Sequence, residues 1–143
     1  MKTTKSMMKI ITKITEKHGV KLDRIGDHIR LEMDCYEPLV IEVVGPNQVS
    51  VAHYCYNDFG DAMADPDLVF YTGFGEDGWV PVEATLLMGY TRAGRVSPRG
   101  ELTHINSHAV TDLVRLANMW ARNIKHQGWL ENGRPPSETE MVK

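Results

Sequence analysis

The residues best suited to chemistry lie between His53 and Asp67, in His-Tyr-Cys-Tyr-Asn-Asp-Phe-Gly-Asp-Ala-Met-Ala-Asp-Pro-Asp. Four carboxylates, Asp58, Asp61, Asp65 and Asp67, fall within ten residues. Hard cations such as Ca²⁺ or Mg²⁺ bind where several oxygens converge, so a cation site is one use of such a stretch. The spacing is not that of an EF-hand: Phe59 stands where a ligand belongs, and the glycine and terminal glutamate registers fail. Asp and Asn also collect in loops because they close turns onto their own backbone. The stretch is therefore read as a loop with turn chemistry, and no metal is assigned to it. Its candidate residues for a ligand or partner are Tyr54, Tyr56, Asp58, Asp61, Asp65 and Asp67.

Other constellations are weaker. His53 and Cys55 share a face of a strand, and His104 and His108 are four apart, which makes a notional zinc set. His104 falls before the helix that would align it with His108, and alternation with Val49 and Val51 turns His53 and Cys55 toward the core. Cys55 sits in an acidic stretch, which raises a thiol pKa and disfavours a reactive thiolate. Gly73, Gly75 and Gly78 space as G-x-G-x-x-G but precede a strand, and Glu76 and Asp77 would repel phosphate. Arg92, Arg95 and Arg99 could line a hairpin, yet the aromatic residues a base-stacking surface needs lie mostly elsewhere. No catalytic residue and no cofactor are assigned.

Charge is segregated along the 143 residues. Residues 1–30 carry eight Lys/Arg against three acids, residues 31–88 carry eleven acids and no Lys or Arg, and residues 89–143 carry eight basic and five acidic residues. Either the terminal segments neutralise the acidic middle inside the fold, or the middle is offered outward to a basic partner. Two cysteines without a CxxC spacing fit a reducing cytoplasm. No apolar run reaches the 18 or more residues of a membrane span, and lysines interrupt the N-terminal apolar pattern where a signal peptide would be continuous.

The elements that must carry these residues follow from periodicity. Met7, Ile10, Ile11 and Ile14 recur at helical spacing within residues 4–18, and Gly19 marks a stop. Residues 28–34, 39–44 and 48–56, then 68–72 and 79–87, alternate or run apolar as strands, and 90–96 reads as a weaker one. Val110, Leu113, Val114, Ala117, Trp120, Ala121 and Ile124 form one long helical stripe, with Asn106 or Ser107 as cap and Gly128 as stop. Short connections favour an antiparallel meander. The expected fold is α+β: a meander of five or six strands with an N-terminal and a longer C-terminal helix packed on one face. Residues 1–130 form one domain and 131–143 a disordered tail.

Three segments together resemble a known family. They are Gly60-Asp61-Ala-Met63-Ala-Asp65-Pro66-Asp67, Gly78-Trp79-Val80-Pro81-Val82, and Leu116-Ala-Asn-Met-Trp120-Ala-Arg-Asn123-Ile-Lys-His-Gln127-Gly128-Trp129. They look like an uncharacterised domain family whose members occur on plasmids, conjugative elements and phages, often within larger mosaic proteins. The likeness covers roughly residues 25–130 and departs at Asp67, where the family pattern has Glu. It implies a compact α+β domain of mobile-element origin and no particular activity.

The leading expectation is a cytoplasmic, non-enzymatic accessory or interaction domain. Its acids, Glu32, Asp34 and Glu42 among them, gather on the sheet face left open by the helices, with lysines of the first helix at the margin. Such a face suits a basic protein surface and neither nucleic acid nor membrane. One alternative is a small enzyme or cation-dependent binder using Asp58–Asp67. The other is an anti-defence protein whose acids mimic nucleic acid.

Overall fold

Four isoleucine and methionine side chains build the first helix. α1 (Lys5–Lys17) buries Met7, Ile10, Ile11 and Ile14 along one stripe. Thr4 caps it: the hydroxyl accepts from Met7 N–H at 3.3 Å and donates to Asn118 Oδ1 at 2.6 Å, so the cap is also a tertiary tie. The computed structural model describes residues 2–56, 59–60, 62–87 and 89–136, with the backbone alone at 55, 56 and 62–64.

Six strands follow: β1 (His28–Leu31), β2 (Leu39–Gly45), β3 (Gln48–Tyr56), β4 (Ala62–Tyr71), β5 (Val80–Leu86) and β6 (Gly89–Arg92). They pair in sequence order and each pair is antiparallel, which makes one meander. A separate hairpin, β7 (Gly94–Val96) with β8 (Leu102–Ile105), leads into α2 (Ser107–Gln127). Asn106 caps α2 by accepting from Ala109 N–H at 3.0 Å. All seven stripe residues of α2 are buried.

The ladder explains which face the helices cover. Register aligns Ile29, Ile41, Val51, Leu68 and Ala84 across five strands, and all five are buried in the same cluster as the stripes of α1 and α2. The fold is therefore the expected α+β meander with both helices over one face. α1 and α2 run side by side in the same direction. Ser6 near the start of α1 meets Asn118, while Lys17 at its end donates from Nζ to the Leu130 and Glu131 carbonyls at 2.6 and 3.1 Å.

α2 ends at Gly128, which takes φ 87° and ψ 23°, a left-handed conformation that glycine adopts without steric cost. The turn drops Trp129, first residue of α3 (Trp129–Asn132), to full burial. Its indole N–H donates to Gln127 Oε1 at 2.9 Å, and its ring lies 5.5 Å from His53 and 6.0 Å from Tyr36. Beyond α3, Arg134 pairs with Glu32 through both backbone N–H groups and sets a guanidinium 3.5 Å from Asp34. The chain thus stays tied to the β1 end of the sheet past residue 131, and 137–143 lie outside the described residues. No helix among the described residues is long and apolar enough to cross a membrane.

Several local expectations need correction. Residues 62–67 are strand, not loop. Asp65 and Pro66 sit where the β3–β4 register shifts, and a bulge there accommodates a proline that lacks the ladder's N–H. The single strand expected over 90–96 is two strands in different sheets. Ala93 divides them, buried, with its N–H bonded to Val82 and its carbonyl to Asn106 N–H. Asp34 lies beyond the end of β1 and is not a sheet residue.

Candidate functional site

The face opposite the helices carries two cross-strand rows. One runs His28, Glu42, Ser50, Val69, Glu83, Arg92, and the other Arg30, Val40, Ala52, Asp67, Thr85, Tyr90. Alternation along each strand places these side chains away from the core row, because successive Cβ atoms point to opposite faces. The six-strand sheet thereby brings together Glu42, Asp67 and Glu83, which lie far apart in the chain.

Asp67 is the centre of this group. Its Oδ1 accepts from the Ser50 hydroxyl at 2.7 Å across the β3–β4 pair. Partial burial pushes its carboxyl pKa up. The Ser50 hydrogen bond opposes that shift, and the negative charges of Glu83 and Glu42 add to it. Tyr54 feels the same field: burial raises its phenol pKa first, and Asp67 and Glu42 raise it further. The charges of Glu83 and Glu42 thus both bear on Asp67.

Cations stand at the edges. Arg92 on β6 meets Glu83 at 2.6 Å, with its guanidinium 6.0 Å from the centroid of the Tyr90 ring, and the Tyr90 hydroxyl donates to Glu83 at 2.9 Å. Arg30 on β1 contacts Glu32 at 3.3 Å. Both arginines lie just outside the cation-free stretch 31–88. The expected lysines of α1 are not at this margin, because α1 packs on the other face of the sheet and the sheet itself lies between.

Of the six candidate residues, the structure unites Tyr54 and Asp67. Asp65 serves the backbone: its Oδ1 accepts from Leu87 N–H at 3.1 Å, at the β5–β6 turn. Asp58 and Asp61 lie outside the described residues, as does the side chain of Tyr56. The notional zinc set is not assembled. His104 is on β8 beside Thr103, His108 faces Asp112 in the first turn of α2, and His53 lies under α2 between the Trp120 and Trp129 rings, 5.5 Å from each. Two backbone carbonyls, of Glu37 and Pro38, lie 3.2 Å from His53 Nδ1; carbonyls only accept, so the proton sits on Nδ1. Burial pushes this imidazole's pKa down, against the pull of those two carbonyls. The side chain of Cys55 is not described.

Sequence reasoning did not place Ser50, Glu83 and Tyr90 at a site, and it grouped Arg92 with Arg95 and Arg99 on a hairpin, whereas Arg92 pairs with Glu83. Alternation gives each a face, but only the ladder register gives each its neighbours. Chemically the group presents carboxylate acceptors and phenols, with the Ser50 hydroxyl held on the Asp67 carboxylate.

Residues 9–130 match the model of a domain of unknown function, DUF6908. The chain belongs to that family. No curated protein matches this DUF6908 chain, and no solved structure does. The match covers α1 from Lys9 onward, the whole meander and α2, so the open face is part of the DUF6908 domain itself.

Proposed function

We propose that this DUF6908 chain is a non-enzymatic interaction domain, an accessory of a mobile genetic element, that offers its open sheet face to a basic protein surface in the cytoplasm. One observation carries the reading: the ladder register sets Glu42, Asp67 and Glu83 on the sheet face opposite α1 and α2, where Glu83 and Glu42 add to the effect of burial in raising the Asp67 pKa. Like charges gathered this way weaken the folded state and favour a cationic occupant. The accessory role rests on the motif likeness at Gly60–Asp67, Gly78–Val82 and Leu116–Trp129. A cation-dependent site at Asp58–Asp67 is less favoured, because Asp65 and Asp67 already accept from Leu87 N–H and the Ser50 hydroxyl.

The test is cross-linking in the native host at about 150 mM salt, where the Debye length is about 8 Å and contacting charges still act. The wild type is compared with Glu42→Gln/Asp67→Asn/Glu83→Gln, which neutralises the face and retains polar atoms. The expected result is a basic protein captured by the wild type and lost in the variant. An identical set of cross-linked proteins for both chains would overturn the proposal. So would a gel shift with DNA or RNA at the same salt that reversing these three residues abolishes and changing Arg92, Arg95 and Arg99 leaves intact.

A further inference from the structure

We infer that the trough between α1 and α2, on the outer side of the helical layer, is a second docking surface of opposite sign, and that it takes an acidic amphipathic helix of a partner protein. The trough encloses about 270 Å³. Lys9 and Lys13 form one bank, Arg122 and Lys125 the other, and Ile10 and Leu130 lie along the floor. All four cations are exposed, and among the described residues no ion pair involves any of them. Glu131 also lines the trough, at the end where Lys17 donates to the Leu130 and Glu131 carbonyls.

The arrangement works against the helix that carries it. Lys5, Lys9, Lys13 and Lys17 repeat every fourth residue, so each repels the next along one face. Lys5 also opens α1 where the backbone dipole favours an acid, and the first turn has none. Charge set against local stability is recovered when an anionic occupant arrives.

The apolar floor selects the class of occupant. A phosphodiester backbone gains nothing from Ile10 and Leu130, and no aromatic side chain lines the trough for base stacking. An acidic amphipathic helix uses both features. It sets leucine-like side chains at i, i+3 and i+4 onto the floor and carboxylates against the two cationic banks.

The probe is a synthetic helical peptide of about 14 residues with leucines at those spacings and glutamates between them. Its controls are the same peptide with serine for leucine, and an oligothymidylate of similar length. Each is titrated into the isotope-labelled full chain at about 150 mM salt while amide shifts are followed. Saturable shifts confined to residues 5–13 and 118–131 are expected from the Leu/Glu peptide. Lys13→Glu/Lys125→Glu should weaken that binding about tenfold or more, as should the serine peptide. Lys9→Gln/Lys125→Gln gives the same reading if charge reversal disturbs the fold. No saturable shift, shifts on the sheet face instead, or equal binding of the serine peptide or the oligothymidylate would overturn the inference. The sheet-face variant Glu42→Gln/Asp67→Asn/Glu83→Gln should bind the Leu/Glu peptide unchanged, which keeps this result separate from that of the cross-linking.

Discussion

Trp120→Ala measures how far the fold hangs on the α2 stripe. Trp120 is 5 % exposed and lies against His53 at 5.5 Å, so nearly all of its ring leaves water on folding. A tryptophan buries roughly 200 Å², worth about 5 kcal/mol at about 25 cal/mol per Å². Alanine keeps about 1 kcal/mol of that by burying its own methyl group. The loss comes to about 4 kcal/mol, inside the range of about 3–5 kcal/mol for such truncations. Domains of this size are stable by about 5–15 kcal/mol, so the variant should retain about 1–11 kcal/mol and be marginal at the low end of that range. If it folds, the melting temperature should fall by roughly 8–16 °C, at about 2–4 °C per kcal/mol. Urea titration followed by far-ultraviolet circular dichroism and by fluorescence reads the midpoint directly. Full cooperativity with an unchanged midpoint would refute the placement of α2 over the sheet. A double-mutant cycle with His53→Ala should return a coupling of about 0.5–1.5 kcal/mol from the ring pair.

Asp67 has a raised folded pKa, so between its ordinary value of 3.8 and that raised value the folded chain holds more protons than the unfolded one. Stability should therefore fall as pH rises through that window, and Asp67→Asn, which keeps an acceptor for Ser50, should remove the slope and be the more stable form at neutral pH; denaturant midpoints against pH check this, and an unchanged slope would contradict it. His53 titrates the other way: its folded pKa lies below 6.5, so the stability it contributes is present above 6.5 and lost as pH falls through the folded value. In His53→Gln the drop in midpoint on going from neutral to mildly acidic pH should shrink, and a drop of full size would place the titrating group elsewhere. The Asp58–Asp67 segment should give no stoichiometric, saturable heat on calorimetric titration with Ca²⁺, Mg²⁺ or Mn²⁺; a saturating isotherm would revive the cation-binding alternative.

Much of the architecture was legible in the chain because periodicity is local. The stripe from Val110 to Ile124, the cap at Asn106 and the stop at Gly128 lie within a few turns of one another, and each acts through neighbours close in sequence. The alternation of Ile29 and Leu31 with Arg30, and of Ile41 and Val43 with Glu42, assigns faces for the same reason. Tertiary pairing decided the rest. Nothing near Asp65-Pro66 announces a strand; residues 62–67 extend because β3 offers a partner ladder and a bulge absorbs the proline. The split of 90–96 at Ala93 likewise depends on bonds to Val82 and Asn106, which lie 11 and 13 residues away. The charged residues are the clearest case. That residues 31–88 lack Lys and Arg is plain from the sequence, but that Glu42, Asp67 and Glu83 share one face, with Arg30 and Arg92 on its outer strands, depends on register across six strands. The basic trough depends instead on helix packing: its banks come from helices far apart in sequence, set in parallel by the ties of Thr4 and Ser6 to Asn118 and of Lys17 to the turn at Leu130. Coulomb interactions fall with distance through space, and sequence separation says nothing about that distance until the sheet and the helices are packed.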